Sequence, residues 1–147
     1  AVVLCFVQGE NVREVGDVTL DSDPIPGLIA HFEPRVQQAR DAGVERLFVD
    51  PGMGFYYETL QDGEARVRHQ AGIFLNSFRL RTMGLPVCHA LPHAFDFFGE
   101  EVRTAEGFFA VLAALGRTGL FRTHEVPRVR AVLETLSAIE PRDVNPG

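Results

Sequence analysis

Four short apolar runs recur along the chain, and the spacing between them limits what it can fold into. They are "AVVLCFV" (Ala1–Val7), "RLFVD" (Arg46–Asp50), "LPVCHAL" (Leu85–Leu91) and "GLFRT" (Gly119–Thr123). The first is apolar at every position, as strands are when both faces are covered, which is usual in parallel sheets. The segments between the runs carry helical spacing instead. From Pro26 to Ala42, Leu28, Ile29, Phe32, Val36 and Ala39 recur at three- and four-residue steps, and Gly43 stands where a C-terminal cap belongs. Pro34 is expected to kink this helix or mark its true start, because it lacks an N–H and clashes with the preceding turn. A second stripe, Val67, Ala71, Phe74, Leu75 and Phe78, predicts a helix from Thr59 to Met83 ended by Gly84, with Gly63 and Gly72 weakening it. A third helix is predicted over Thr104–Leu115, capped by Thr104 and apolar at Phe108, Val111, Leu112 and Leu115. The last covers Pro127–Ile139, with Val129, Val132, Leu133 and Leu136 inward and Pro127 near the first helical position.

The order is therefore βα four times, which predicts an α/β fold of parallel strands joined by right-handed crossovers. Residues 1–140 read as one domain and 141–147 as a C-terminal tail. A complete (β/α)₈ barrel takes about 250 residues, and 147 residues with four units amount to half of one. Four parallel strands with helices on one face leave the other face and both edges bare. Three arrangements answer that: a doubly wound sheet, a half-barrel completed by a partner chain or a second copy, or the C-terminal half of a longer protein. A formal net charge of −6 argues against duplex nucleic acid as partner, since phosphate binding needs clustered cations. No apolar run approaches the ~18 residues of a membrane span, so no membrane association is expected. Cys5 and Cys88 both sit inside apolar runs with no CxxC pair, which predicts buried reduced thiols and fits a cytoplasmic protein.

In α/β folds, ligands sit at the carboxyl ends of the strands, and here those ends are chemically unusual. The second run stops on Asp50 and opens into Pro51-Gly52-Met53-Gly54-Phe55. A carboxylate in that place can accept paired N–H donors from the edge of a heterocycle, much as it does from arginine. Gly52 and Gly54 would let backbone approach such a ligand. The competing reading is a turn-capping Asp in "DPG". Arg122 and His124 alternate along the fourth run, so they are expected on one side with Thr123 opposite, two cations suited to an anion such as phosphate. A salt bridge to Asp50 or Glu125 is the alternative. His89 and His93 lack a third ligand close in sequence and read as core or loop histidines rather than a metal site. Phe95, Phe97, Phe98, Phe108 and Phe109 read as core rather than as a stacking platform. No Walker, Rossmann or nucleophile-elbow motif is present.

Taken together, "ERLFVDPGMGF", "GLPV" and "LFRTHEVPRVRAVLETLSAI" resemble the second half of dihydropteroate synthase. That family has an Asp-Pro-Gly-hydrophobic-Gly-Phe motif after its sixth strand, a Leu-Pro run into the seventh and Arg-Val-His-Asp after the eighth. "VVLCFVQG" is similar to its fifth strand. The resemblance implies the C-terminal half, strands five to eight, of a pterin-binding (β/α)₈ barrel. It implies Asp50 on the pterin ring, Phe55 near the aromatic-amine side of the pocket, Arg122 by the pterin and His124 by the pyrophosphate. In such enzymes 4-aminobenzoate displaces pyrophosphate from a dihydropterin, usually with Mg²⁺, on the pathway to folate. The metal would depend on the family's N-terminal half.

The sequence also departs from the family. After strand seven the family carries Ser-Arg-Lys-Ser-Phe, whose Lys reaches the pterin; here the region reads "HALPHAFDFFG", with His93 as the candidate substitute. Losing that charged hydrogen bond is worth ~1.5–3 kcal/mol, so weaker binding or a different pterin is expected. Without the N-terminal half, the chain alone is expected to be inactive. Two alternatives stand beside this reading. One is a pterin-dependent methyltransferase on the same barrel; the other is a non-catalytic pterin-binding or assembly subunit.

Overall fold

Every one of the four apolar runs becomes a strand, and every strand leads into helix. The computed structural model describes residues 1–7, 22–54 and 61–139. In chain order the elements are β1 (Val2–Cys5), α1 (Ile25–Asp41), β2 (Leu47–Asp50), α2 (Gly63–Asn76), β3 (Cys88–Ala90), α3 (Phe95–Phe98), α4 (Ala105–Leu115), β4 (Leu120–Arg122) and α5 (Val126–Ile139). A 3₁₀ helix, Ser77–Met83, continues α2, and another, Gly99–Thr104, joins α3 to α4.

β1 pairs in parallel with β2, from Val2 opposite Leu47 to Cys5 opposite Asp50. β3 pairs in parallel with β4, from Cys88 opposite Leu120 to Ala90 opposite Arg122. Among the described residues a single parallel bridge, Val49 to Val87, joins the two pairs, with the Val49 N–H donating to the Pro86 carbonyl at 3.2 Å. The strands thus lie side by side in chain order, β1-β2-β3-β4. A doubly wound sheet would reverse its order at a switch point, so that arrangement is excluded. The wall is half of a barrel, and it does not close on itself.

Strand alternation divides the wall into two faces. Toward the helices point Val49 and Val87, both fully buried, against a core of Ile25, Phe32, Phe74, Leu80 and Phe109. On the opposite face Cys5, Asp50 and Cys88 form one row across three strands. The outer strands are less well covered, and Val2, Val3 and Leu120 are exposed.

The helix ends follow local chemistry. α1 accommodates Pro34 in its interior and ends before Gly43, whose φ of 82° suits a residue without a Cβ. The predicted second helix starts later than Thr59 among the described residues: the Asp62 carboxylate accepts from the Ala65 N–H at 2.7 Å and caps α2 at Gly63. Thr104 does not cap α4. Its hydroxyl bonds Glu101 and Arg128 instead, because the preceding 3₁₀ turn already leads into the helix. The aromatic cluster is also corrected. Phe109 is fully buried and Phe98 packs against the core, but Phe95, Phe97 and Phe108 are exposed. The single turn of α3 has too little surface to bury its rings on every side. The residues expected to form the tail, 141–147, and Phe55 lie outside the described residues. Among the described residues no helix is long and apolar enough to cross a membrane.

Candidate functional site

Asp50 ends β2 with its side chain wholly buried. Its Oδ1 accepts the Gly52 N–H at 2.8 Å, an Asx-type turn made possible by Gly52 at φ 80°. Its Oδ2 stands 3.0 Å from Arg122 Nη2, reaching across β3 from β4. That distance makes an ion pair, but among the described residues no donor hydrogen is aligned on Oδ2, a buried acceptor. Ala90, the strand neighbour of Arg122, is small enough to let the guanidinium pass. Ala90 also explains Gly54, where a Cβ would come within 2.9 Å of the Ala90 Cβ. Burial pushes the Asp50 carboxyl up, and the Gly52 N–H, Arg122 and the Cys88 thiol only partly pull it back. The flanking thiols respond first to their own burial and then to the Asp50 charge: Cys5 is pushed up to about 12 and Cys88 to about 11. Both stay protonated at neutral pH and are poor nucleophiles.

A second buried carboxylate organises the end of β4. Glu106, in the first turn of α4, is fully buried. Its Oε2 accepts from the Thr123 hydroxyl, from the His124 N–H at 3.0 Å and from the Glu125 N–H at 3.3 Å. Its Oε1 meets His93 Nε2 at 2.8 Å and His124 Nδ1 at 3.0 Å. Burial alone would raise this carboxyl, but the hydrogen bonds from Thr123, His93 and His124 outweigh it and hold it at about 2. An ionised carboxylate only accepts, so both imidazole nitrogens facing it donate. This corrects the expected alternation. The strand ends at Arg122, and beyond it Thr123 and His124 both turn to Glu106, while Arg122 goes to Asp50.

Beside the two carboxylates lies a cavity of about 860 Å³, lined among others by Gly54, Arg66, Ala90, His93, Arg122 and His124. Four residues singled out from the sequence, Gly54, His93, Arg122 and His124, therefore share one space. Asp50 lies behind Arg122, with Gly52 supporting it. His89 does not join them. It points to the helix face, fully buried, 2.7 Å from Ser77 Oγ and with its ring centre 4.4 Å from that of Phe74, the planes tilted at 53°. Sequence reasoning missed Arg66, which comes from α2 and ion-pairs with Asp96 beside the cavity. It also missed Glu106. The signal was there: an acid three, four and seven residues before Phe109, Ala110 and Ala113, on the one buried stripe of α4.

The Mg²⁺ implied by the resemblance finds no oxygen-rich set among the described residues. Mg²⁺ wants an octahedron of oxygens. Among the described residues, the group of three side chains able to share an ion is His93, Glu106 and His124, with two nitrogens to one oxygen.

No protein-family model matches the sequence, and no curated protein matches it. Solved structures do. The dihydropteroate synthase of Xanthomonas albilineans, solved with 4-aminobenzoic acid, superposes with a TM-score of 0.71 at 23% identity over 95% of this chain and 49% of that one. The Burkholderia cenocepacia enzyme, complexed with 7,8-dihydropteroate, gives 0.72 at 22% identity over 93% and 51%. The Thermus thermophilus enzyme gives 0.72 at 18% over 95% and 55%. The chain thus spans about half the length of the structures it matches. Its fold is that of half a dihydropteroate synthase barrel, consistent with the C-terminal half.

Proposed function

We propose that this chain is the pterin-binding half of a dihydropteroate synthase-like barrel. The observation that carries the reading is the buried, unbonded Oδ2 of Asp50 at a strand's carboxyl end beside a cavity. A buried carboxylate whose outer oxygen has only an ion pair to a half-exposed guanidinium is incompletely compensated for its desolvation, and N–H donors of a ligand would complete it. A pterin edge presents adjacent N–H donors in the geometry of a guanidinium. Arg122, half-exposed and not hydrogen-bonded to Oδ2, can yield to it. The released guanidinium and His124 then stand beside an anionic substituent, as pyrophosphate would be. Gly54, where any Cβ would meet Ala90, keeps the wall open. Arg66, paired with Asp96, brings a guanidinium from α2 to the cavity wall where the loop after β3 has no Lys.

In the complete reaction the amine of 4-aminobenzoate attacks the methylene carbon of the dihydropterin. The carbon–oxygen bond breaks and pyrophosphate leaves with the electron pair, its charge stabilised by cations. This chain supplies the binding of the pterin and part of that stabilisation. It is expected to bind a dihydropterin without turning it over, and to cover its open wall by associating with a second copy or a partner half-barrel.

Calorimetric titration of the chain with 6-hydroxymethyl-7,8-dihydropterin tests the assignment. Saturable binding that weakens roughly ten- to a hundredfold in Asp50→Asn supports it. Binding of equal strength in the two proteins, or none in either, rules it out.

A further inference from the structure

The second carboxylate carries an inference that does not depend on which heterocycle the cavity takes. We propose that His93, Glu106 and His124 form a binding site for a borderline divalent transition ion of the Zn²⁺ class, opening onto the cavity.

The geometry is that of a ligand set. His93 Nε2, Glu106 Oε1 and His124 Nδ1 all lie within 4.8 Å of one another. Both nitrogens already converge on the one oxygen, at 2.8 and 3.0 Å. Tetrahedral zinc with bonds of 2.0–2.2 Å separates its ligand atoms by about 3.3 Å. A small spreading of each nitrogen from Oε1 therefore admits the ion, each neutral imidazole then carrying its proton on the other ring nitrogen so that the nitrogen facing Oε1 offers its lone pair to the metal.

The other oxygen explains why the carboxylate can serve as a fixed ligand. Three donors, the Thr123 hydroxyl and the N–H groups of His124 and Glu125, fall on Oε2. They lock the carboxylate plane and leave Oε1 to the imidazoles. Supporting hydrogen bonds of this kind orient metal ligands. His93 and His124 also line the cavity, so the ion's remaining positions face a space where water or a substrate anion can enter. Two imidazoles and one carboxylate with an open position match catalytic zinc and related ions, whereas Mg²⁺ prefers oxygen.

The test is titration of the EDTA-treated 147-residue chain with ZnCl₂, followed by calorimetry, and with CoCl₂, followed by its visible absorption. One equivalent of Zn²⁺ is expected, along with a Co²⁺ spectrum of four- or five-coordination and no competition from excess Mg²⁺. His124 is two-thirds exposed, so His124→Ala should fold, as circular dichroism will check. It and His93→Ala should each weaken zinc binding by more than about a hundredfold, beyond the roughly 10–100-fold cost of losing a supporting hydrogen bond. Thr123→Val, which keeps all three ligands, should weaken it by about tenfold. Absence of zinc binding, or binding of unchanged affinity in both histidine variants, overturns the proposal and leaves the cluster as internal hydrogen bonding.

Discussion

Arg122 lies 3.0 Å from Asp50 across an intervening strand, yet it gives Asp50 Oδ2 no hydrogen bond. The pair is therefore a poor stabiliser: it keeps a buried carboxylate charged at a desolvation cost that the attraction only partly offsets. Because the folded carboxyl is raised, the folded state holds its proton more tightly than the unfolded chain does. Any stability from this group is present at low pH and lost as pH rises through the folded value. Asp50→Asn removes the buried charge and keeps the acceptor for Gly52. At pH 7 the variant should melt no lower than the parent while binding a dihydropterin roughly ten- to a hundredfold more weakly. Differential scanning fluorimetry beside calorimetry reads both; a clear fall in melting temperature would refute the argument.

His89 sets a different pH dependence. The Ser77 hydroxyl donates its one proton to the Ile73 carbonyl at 2.7 Å, so it must accept from His89 Nε2. Nδ1 is then the bare, buried nitrogen, without a hydrogen-bond partner among the described residues. Protonating it would bury a charge, and burial lowers His89 to about 3. The unfolded chain takes up the proton near pH 6.5, so stability should decline as pH falls from about 6.5 toward 3, by a few kcal/mol in all. His89→Leu removes that slope and leaves Ser77 bonded to Ile73. Urea melts at intervals of pH should show a flatter profile for the variant.

Glu106→Ala removes the acceptor of five hydrogen bonds at once, three on Oε2 and two on Oε1. Buried donors left unsatisfied cost about 1–3 kcal/mol each, and local water entry from the cavity will reduce the sum. The expected loss is about 2–4 kcal/mol in urea unfolding, with Glu106→Gln losing less because its carbonyl oxygen still accepts. Equal stability of parent and Ala variant would mean that the cluster does not hold the β4 loop.

The open wall predicts association. Val2, Val3 and Leu120 are exposed on the outermost strands, whose edges have no partner among the described residues. Light scattering should find a dimer or larger species at micromolar concentration, and Val3→Lys should shift it toward monomer. A monodisperse monomer of the parent chain would count against completion by a second copy.

The half-barrel was legible because its signals are local. The runs at Val2–Cys5 and Leu47–Asp50 form strands, and Gly43 and Gly84 stop helices where their positive φ values are needed. Asp50 stood out because a strand seldom ends in a buried acid. Glu106 could have been found on the buried stripe of α4, but its meeting with His93 and His124 was not legible, since the members come from the loop after β3, the start of α4 and the loop after β4. They meet only once the chain is folded. The partition of the two cations between two carboxylates failed for a related reason: alternation holds only while the strand lasts, and β4 is three residues long. The exposed phenylalanines of α3 show the limit of composition, because one helical turn cannot hide every ring it carries.

The lone bridge between Val49 and Val87 has a mechanical consequence. It divides the wall into two strand pairs joined, along the sheet, by little more than one ladder contact. Asp50 belongs to one pair and Arg122 to the other. A ligand gripping both would act as a rivet through this seam. Its binding should slow hydrogen exchange of the Val49 amide far more than that of amides inside either pair.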